Sequence, residues 1–333
     1  MGVCKLFFRI AHYLHENPHQ LASASLEDIA AQYRPYAYIG ARKHLREFVQ
    51  EQAQEVGIDP AQWFGTKKWQ SDSGAFPDFV LACEPHSPLG NGALLELKDS
   101  AGDQIASFNS TLPSARKRIS RLTKMVQTAV QNYESERGCA CPDERDCFYL
   151  VRTKNKYPDT CRLSVVQGTF FETIPNQELL KSLWKDLLKQ AGVPAEQHME
   201  ILDYLAKLER NEVAKSRRIK RAAIKPRLRI MSEVVADANP HKYQEIRERT
   251  VNLILKAPSE GGRESLERWI LHCFSTDNLP AKPVSDDVFV VSDDSGCQVN
   301  CRIAWVEHKL NGLHLAVQVR LDRRDGTVRA SAD

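Results

Sequence analysis

Two short apolar runs on either side of a turn constrain the fold of this chain most strongly. The first run covers residues 79–83, a turn segment rich in Pro and Gly covers 85–92, and the second run covers 93–98. Because side chains alternate between the two faces of a strand, Glu96 and Lys98 share one face while two leucines occupy the other. The spacing therefore predicts a β-hairpin with one strongly apolar face.

The segments around this hairpin alternate between helical and strand patterns. Residues 1–57 are predicted to be helical, with Ser25 as an N-cap and Asp28 at the capping-box position. Apolar periodicity predicts further helices over residues 114–135, over 178–190 with an inward-facing leucine stripe, and near 240–256. Apolar runs predict strands over residues 148–151, 163–166, 288–291, 299–308 and 313–321.

This order of elements predicts the α/β fold class and a chain in two parts. With 333 residues, the chain is long enough for a core and a second unit. We expect the core in residues 1–195. Residues 196–333 would then contain a basic helical segment followed by a β-rich region.

Composition excludes several classes of protein. No apolar run approaches the roughly 20 residues that a membrane span needs. Charged residues interrupt the apolar patch near the N-terminus, so no signal-peptide core is present. We therefore expect a cytoplasmic protein without a membrane segment. The net charge of +3 does not by itself indicate a nucleic-acid partner. The distribution of charge along the chain is more informative about such a partner.

The hairpin carries a pattern with a specific chemical logic. Pro77-Asp78 is followed, after 17 residues, by Glu96-Leu97-Lys98. Two carboxylates can hold a hard divalent cation such as Mg²⁺, which polarises a phosphoryl oxygen and lowers the pKa of a bound water. A lysine two residues after the second carboxylate projects from the same strand face and can orient that water. The alternative is that all three are ordinary solvated residues at strand ends.

The segment after the hairpin favours the chemical interpretation. No acidic residue occurs between residues 104 and 133, and a polar loop there leads into a cluster of basic residues. Small hydroxyl and amide side chains followed by basic ones suit phosphate oxygens and base edges. The candidate DNA-binding residues are Ser107, Asn109, Ser110, Thr111, Arg116, Lys117 and Arg118. A solvated basic helix face is the competing interpretation.

A second basic segment lies between residues 207 and 230, where ten Lys or Arg residues stand against two Glu. Such a density of positive charge neutralises phosphates and makes binding sensitive to salt. The candidate DNA-binding residues of this segment are Arg217, Arg218, Lys220 and Arg221. The same segment could instead be a solvated helix face, or could join two protomers across a duplex.

The Pro-Asp … Glu-x-Lys pattern and the loop after it resemble the PD-(D/E)XK nuclease superfamily, and within it the type II restriction endonucleases. The resemblance covers residues 40–175 and rests on short motifs. It implies a mixed central β-sheet flanked by helices, dependence on Mg²⁺, a homodimer on double-stranded DNA and, for a restriction enzyme, a cognate DNA methyltransferase. By the same resemblance Asp78 and Glu96 are metal ligands and Lys98 is the catalytic lysine.

Many members of that superfamily add a glutamate from the preceding helix. Glu47, Glu51 and Glu55 are the candidates here, and Glu51 is favoured. The part of the chain after residue 195 would supply DNA recognition, dimerisation or both. A repair or recombination nuclease of the same superfamily and a DNA-binding protein that does not cleave remain alternatives. Neither the recognition sequence nor the cleavage position can be read from these motifs.

Four cysteines between the core strands suggest a different kind of site. Cys139, Cys141, Cys147 and Cys161 lie within 23 residues of one another. Structural zinc sites favour two to four residues between paired cysteines, and the single residue between Cys139 and Cys141 is fewer than that. Zinc binding therefore stays the weaker interpretation of this segment.

Overall fold

The structure of the protein is a computed structural model. It describes residues 2–31, 37–38, 76–81, 88–101, 105, 112–122, 124–138, 140–154, 160–207, 238–259 and 262–321. The statements below concern these residues.

A large mixed sheet forms the centre of the described part of the chain. Its strands are β1 (Ala37–Tyr38), β2 (Phe79–Val80), β3 (Leu94–Ala101), β4 (Arg116–Arg118), β5 (Glu144–Lys154), β6 (Arg162–Gln167), β7 (Thr250–Lys256), β8 (Ala281–Ser285), β9 (Val288–Ser292), β10 (Gln298–His308) and β11 (Gly312–Arg320). Ten of them follow one another in the order β1-β2-β3-β5-β6-β7-β11-β10-β9-β8, and β4 pairs with the start of β5.

Parallel and antiparallel pairs alternate in the middle of this sheet. β3 pairs with β5 in parallel and β6 pairs with β7 in parallel, whereas the other neighbours are antiparallel. Parallel neighbours need a long crossover, and helices occur in both crossovers. The predicted α/β class with a mixed sheet is therefore confirmed.

Seven α-helices accompany the sheet in the described residues. They are α1 (Val3–Glu16), α2 (Gln20–Ser23), α3 (Leu26–Ala31), α4 (Lys124–Arg137), α5 (Asn176–Gln190), α6 (Ala195–Lys207) and α7 (Arg263–Thr276). None of them combines the length and apolar character that a membrane crossing requires. Ser25 caps α3 as predicted, since its Oγ accepts a hydrogen bond from the Asp28 backbone N–H at 3.0 Å.

Helix α1 shows why the N-terminal segment belongs to the core. Its apolar residues are buried along most of its length, and the helix packs against β7, β10 and α7. The Asp277 carboxylate accepts a hydrogen bond from the Lys5 backbone N–H at 3.3 Å, in the first turn of α1. That turn has no intrahelical partners for its N–H groups, so a carboxylate there is favourable.

Two predicted helices are wrong in position or type. Residues 116–118 of the predicted helix over 114–135 form β4, and α4 begins only at Lys124. The region near 240–256 contains a 3₁₀ turn at Pro240–Lys242 and then the strand β7. β7 is buried on both faces, and the apolar residues of such a strand cannot be distinguished from a helical pattern by periodicity alone.

Residues 1–57 were predicted to be helical, but residues 37–38 form the strand β1, and the rest of 32–57 lies outside the described residues. Helices α6 and α7 and strand β8 were not predicted.

The predicted inward-facing stripe of α5 is confirmed only for Leu180, Trp184 and Leu188, which are half-buried. Leu179, Leu183 and Leu187 are 40%, 40% and 44% exposed, although the helix itself lies where the periodicity predicts it. α5 packs against α6, so its shielded face is set by that neighbouring helix rather than by the sheet.

One sheet contains strands from both predicted parts of the chain. β6, from residues 1–195, pairs directly with β7, from residues 196–333, over the register Arg162↔Thr250 to Val166↔Ile254. A buried polar network crosses the same junction: His241 is hydrogen-bonded to Thr153 at 2.7 Å and to Ser164 at 2.8 Å. Burial lowers the pKa of His241 to about 3, so this imidazole is neutral and structural. The division at residue 195 stays a prediction.

Candidate active site

The hairpin of β2 and β3 brings the first carboxylate beside the second strand. β2 and β3 are antiparallel, with Phe79 opposite Leu95. Asp78 precedes Phe79, so the same register places it opposite Glu96. The Asp78 carboxylate accepts a hydrogen bond from the backbone N–H of Leu97 at 2.8 Å. This bond holds Asp78 against the strand segment that carries Glu96 and Lys98.

Glu96 and Lys98 form an ion pair on one face of β3. The Lys98 ammonium donates a hydrogen bond to Glu96 Oε1 at 2.9 Å, and the two side chains are only 13% and 10% exposed. Successive side chains on one face of a strand are two positions apart, and that spacing allows the contact. The pair therefore lies in a largely desolvated environment, where electrostatic interactions are stronger than in water.

Glu96 has an unusual environment for a carboxylate. Burial, and next the negative charge of Asp78, raise its pKa from 4.5 to about 7, while the positive charges of Lys98 and Lys117 act in the opposite direction. Its second oxygen, Oε2, is buried and has no hydrogen-bond partner among the described residues. An unpartnered buried carboxylate oxygen costs free energy, and a bound cation would remove that cost.

These residues fit a divalent cation in chemistry, but they do not form a complete ligand set. Asp78 and Glu96 supply the oxygen ligands that Mg²⁺ prefers. Among the residues that the structure describes, no group of three or more His, Cys, Asp or Glu side chains is arranged to hold a metal. The candidates for a third carboxylate, Glu47, Glu51 and Glu55, lie outside the described residues.

A second wall of the site is built from distant parts of the chain. Tyr149 of β5 is the register partner of Glu96, and its hydroxyl accepts a hydrogen bond from the Ser114 backbone N–H at 3.0 Å. Ser114 also passes so close to Gly168 that a Cβ on this glycine would lie 1.9 Å from the Ser114 carbonyl oxygen. Only glycine fits there, so residue 168 packs directly against the backbone that leads into β4.

Sequence reasoning missed Tyr149 and Gly168 as parts of this wall. The apolar run of β5 predicted a core strand but carried no signal that one tyrosine hydroxyl would hold Ser114. Gly168 lies 54 positions after Ser114, a separation across which no local motif extends.

The three consecutive basic residues of β4 do not share one environment. Arg116 is 62% exposed at its side chain and pairs with Asp146 at 2.8 Å, and Arg118 is 56% exposed and lies 3.7 Å from Glu144. Lys117, between them, donates a hydrogen bond to the Leu112 carbonyl at 3.0 Å. Strand alternation therefore separates residues that the sequence grouped together as DNA contacts.

The remaining candidate DNA-binding residues lie outside the described part of the chain. These are Ser107, Asn109, Ser110, Thr111, Arg217, Arg218, Lys220 and Arg221. Their role stays a prediction.

The described cysteines give no support to a four-cysteine zinc site. Cys141 is disulfide-bonded, and Cys147 and Cys161 are buried free thiols. Burial raises the pKa of Cys147 to about 12, which opposes formation of the thiolate that binds zinc. Cys139 lies outside the described residues.

Comparisons with known proteins returned no relative. No protein-family model matches the chain, no curated protein matches its sequence, and no solved structure matches its fold.

The described arrangement thus contains two adjacent carboxylates, a lysine bonded to one of them and a second lysine whose charge acts on the same group. Paired carboxylates with a buried unpartnered oxygen can bind a divalent cation. Nearby ammonium groups can hold an anionic reactant beside that cation.

Proposed function

We propose that this protein is a Mg²⁺-dependent endonuclease that hydrolyses phosphodiester bonds of double-stranded DNA. The observation that supports the proposal most directly is the placement of Asp78 beside the Glu96–Lys98 ion pair, with Glu96 Oε2 buried and unpartnered among the described residues. Most buried polar side-chain atoms have a hydrogen-bond partner, so an unpartnered carboxylate oxygen next to a second carboxylate is consistent with a cation ligand.

In this proposal Asp78 and Glu96 hold the metal ion. When bound, Mg²⁺ supplies polarisation of the phosphoryl oxygen and a lower pKa for the attacking water. Glu96 must be deprotonated to serve as a ligand, and the positive charges of Lys98 and Lys117 favour its ionised form. The Lys98 ammonium, fixed by its bond to Glu96 Oε1, is placed to orient the attacking water and to stabilise negative charge on the phosphate.

The more specific assignment, a type II restriction endonuclease, rests on the resemblance of the Asp78 … Glu96-x-Lys98 pattern and the following loop. The homodimer on DNA and the cognate methyltransferase follow from the same resemblance. A repair or recombination nuclease with the same chemistry is the alternative within this class.

The test uses the full-length protein with supercoiled plasmid or phage DNA and Mg²⁺. We expect cleavage by the wild type and a loss of about 10³-fold in rate for Glu96→Gln, because a neutral amide is a poor metal ligand. Asp99→Asn is the matched control. It removes a carboxylate from the same strand but from the opposite face, and it should retain the wild-type rate within about threefold.

The products distinguish the alternatives. Discrete bands support restriction, and a smear or nicking that depends on DNA structure supports the other nuclease class. Equal cleavage by wild type and Glu96→Gln would refute the active-site assignment. Retarded DNA on a gel without cleavage under Mg²⁺, Mn²⁺ or Ca²⁺ would support a DNA-binding protein that does not cleave.

A further inference from the structure

The hairpin of β10 and β11 extends past the strand on one side of it. Val288, the first residue of β9, is opposite Arg302, whereas β10 continues for six more residues to His308. At the rise of a β-strand these residues span roughly 20 Å. The tip of the hairpin therefore lies well beyond the turn that joins β8 to β9, which carries the acidic residues Asp286 and Asp287.

This tip presents an apolar side chain to solvent. His308 pairs with Gly312, so Lys309, Leu310 and Asn311 form the connecting loop. Gly312 has a φ of +66°, a conformation that suits the end of a three-residue loop and that glycine adopts without strain. Leu310 is 70% exposed. A leucine held at the end of a projecting hairpin can be buried only by a partner.

Hydrogen bonds hold the tip in one conformation. The backbone N–H groups of Leu310 and Asn311 donate to His308 Nδ1 at 3.2 and 3.0 Å. The Asn311 side-chain amide donates to the carbonyls of Thr169 and Phe170 at 2.6 and 3.3 Å. His308 is itself buried, with the centre of its ring 4.8 Å from that of Phe170. Leu310 therefore projects from an ordered loop, which loses little conformational entropy when a partner binds.

The same contacts connect the tip to the candidate active site. Gly168 begins the turn that Asn311 contacts, and it packs against the Ser114 backbone. Ser114 donates to the Tyr149 hydroxyl, and Tyr149 is the register partner of Glu96. In the order of the sheet, β3 and β11 are four strand spacings apart, which corresponds to roughly 19 Å. A duplex spans that distance with about five or six base pairs, so DNA in the site can reach the tip.

Basic side chains lie beside the apolar one. Lys309 directly precedes it in the loop. The Lys256 ammonium lies at the base of the tip, 3.5 Å from the position that a Cβ on Gly312 would take. Glu307, the acidic residue of β10 nearest to the tip, is exposed on the strand before the loop. Positive charge at this place suits the phosphates on either side of a base step.

The size of the apolar feature favours DNA over a protein partner. A stable protein interface buries roughly 800 Å² on each partner, and one leucine offers far less surface than that. A step between two base pairs, in contrast, accepts a single apolar side chain such as leucine, which partly unstacks the bases and bends the duplex.

We propose that Leu310 inserts between base pairs of the DNA that occupies the candidate active site, so that the β10–β11 hairpin bends this duplex. The inference rests on the DNA binding that the proposed function requires. It gives the β-rich end of the chain a direct contact with the bases, at about five or six base pairs from the carboxylates.

The first test detects unstacked bases with permanganate, which oxidises unstacked thymines wherever they occur in a DNA fragment. The full-length protein is bound to a linear plasmid fragment in Ca²⁺, which is used to prevent cleavage. We expect protein-dependent oxidation for the wild type and a decrease of about fivefold or more for Leu310→Ala, because alanine is too short to fill a base step. Leu310→Met keeps an apolar chain of similar volume and should retain oxidation within about twofold.

The second test measures DNA affinity by gel retardation of the same fragment in Ca²⁺. Leu310→Ala should bind about fivefold to twentyfold more weakly, because the apolar surface that the bases bury is lost. Its melting temperature should equal that of the wild type, since the side chain is exposed. Met199→Ala is the matched control: Met199 is also 70% exposed but lies on α6, so this exchange should change neither oxidation nor affinity.

The outcomes distinguish the inference from the proposed function. If the wild type cleaves DNA and Leu310→Ala gives the same thymine oxidation, the inference is wrong and the proposed function stands. Weaker binding by Leu310→Ala without any protein-dependent oxidation in the wild type would mean contact without insertion, and this too overturns the inference. If oxidation depends on Leu310 but no metal supports cleavage, the inference stands and the endonuclease proposal fails. If the wild type neither binds nor cleaves DNA, both fail.

Discussion

Glu96 and Asp99 are carboxylates on the same strand, three residues apart and on opposite faces of the sheet. They differ in how completely their oxygens are paired with hydrogen-bond donors. Asp99 accepts hydrogen bonds from the Arg152 guanidinium at 3.0 and 2.6 Å and lies 3.5 Å from the Lys154 ammonium. Glu96 is bonded to Lys98 through one oxygen, and its other oxygen is buried without a partner among the described residues.

The pKa values of the two groups shift in opposite directions. Burial raises the pKa of Glu96 to about 7, with the charge of Asp78 as the second cause. At Asp99 burial also acts to raise the pKa, but the bonds to Arg152 and the charges of Arg152 and Lys154 outweigh it and lower the pKa overall. A carboxylate whose negative charge is balanced by donors and cations stabilises the fold. A carboxylate whose charge is only partly balanced is available to bind a ligand.

Arg152 is the residue that makes Asp99 structural. Its side chain is fully buried, and besides Asp99 it donates to the carbonyls of Leu21 and Ala24 at 3.1 and 2.8 Å. One guanidinium thereby connects the segment between α1 and α3 to both β3 and β5. No comparable residue contacts Glu96 Oε2 in the described part of the chain.

The largest expected effect on stability comes from removing this guanidinium. Arg152→Met leaves the Asp99 carboxylate and two carbonyls without their donors, so we expect a loss of about 3–4 kcal/mol in the free energy of unfolding. Urea denaturation at pH 7.5 measures it. Lys154→Met, which removes only the more distant cation, is the control and should cost less than about 1 kcal/mol. If Arg152→Met cost no more stability than Lys154→Met, the hydrogen bonds from Arg152 would not be what distinguishes Asp99 from Glu96.

The second effect is a pH dependence caused by Glu96. Its pKa is raised in the folded protein, so the folded state keeps the proton that the unfolded state loses between pH 4.5 and about 7. The free energy of unfolding of the metal-free wild type, relative to that of Glu96→Gln, should therefore fall by roughly 2–3 kcal/mol as the pH rises through this window. Urea denaturation in EDTA across pH 4–8.5 measures the difference, and a constant difference would contradict the raised pKa.

Asp99 should show a smaller effect with the opposite dependence on pH. Because its folded pKa is lowered, its contribution to stability is present above the usual pKa of 3.8 and is lost as the pH falls through the folded value. The side chain is 39% exposed, so solvent screening limits the cost of Asp99→Asn to about 1 kcal/mol at pH 7. Chemical denaturation at pH 7 and pH 3 should show this cost shrinking in acid. A cost that grows in acid would be inconsistent with the compensation by Arg152.

The smallest effect is expected at the exposed end of β4. Arg118 and Glu144 are both about half exposed and their charged atoms are 3.7 Å apart. We expect Arg118→Met to change the free energy of unfolding by less than about 0.5 kcal/mol, because water screens such a pair. Thermal unfolding of the two proteins at equal ionic strength measures this. A change comparable to that of Arg152→Met would mean that β4 depends on surface ion pairs.

Much of the local structure could be predicted from the sequence. The strands of the hairpin, the core strands β5 and β6, the last three strands and the cap of α3 by Ser25 all lie where periodicity and capping signals place them. These signals depend on neighbours within a few residues. β4 could not be predicted, because its three basic residues acquire their strand conformation from pairing with residues 144–146.

For the candidate site, the sequence alone determined that Glu96 and Lys98 share a face of β3 and that a turn returns the chain from Asp78 to them, since strand alternation and turn composition are local properties. The tertiary structure decided how well each carboxylate is compensated. Arg152 reaches Asp99 from 53 positions away, and the charge of Lys117 acts on Glu96 from β4, which pairs with β5. These partners are set by register and packing between distant segments, which no local pattern specifies.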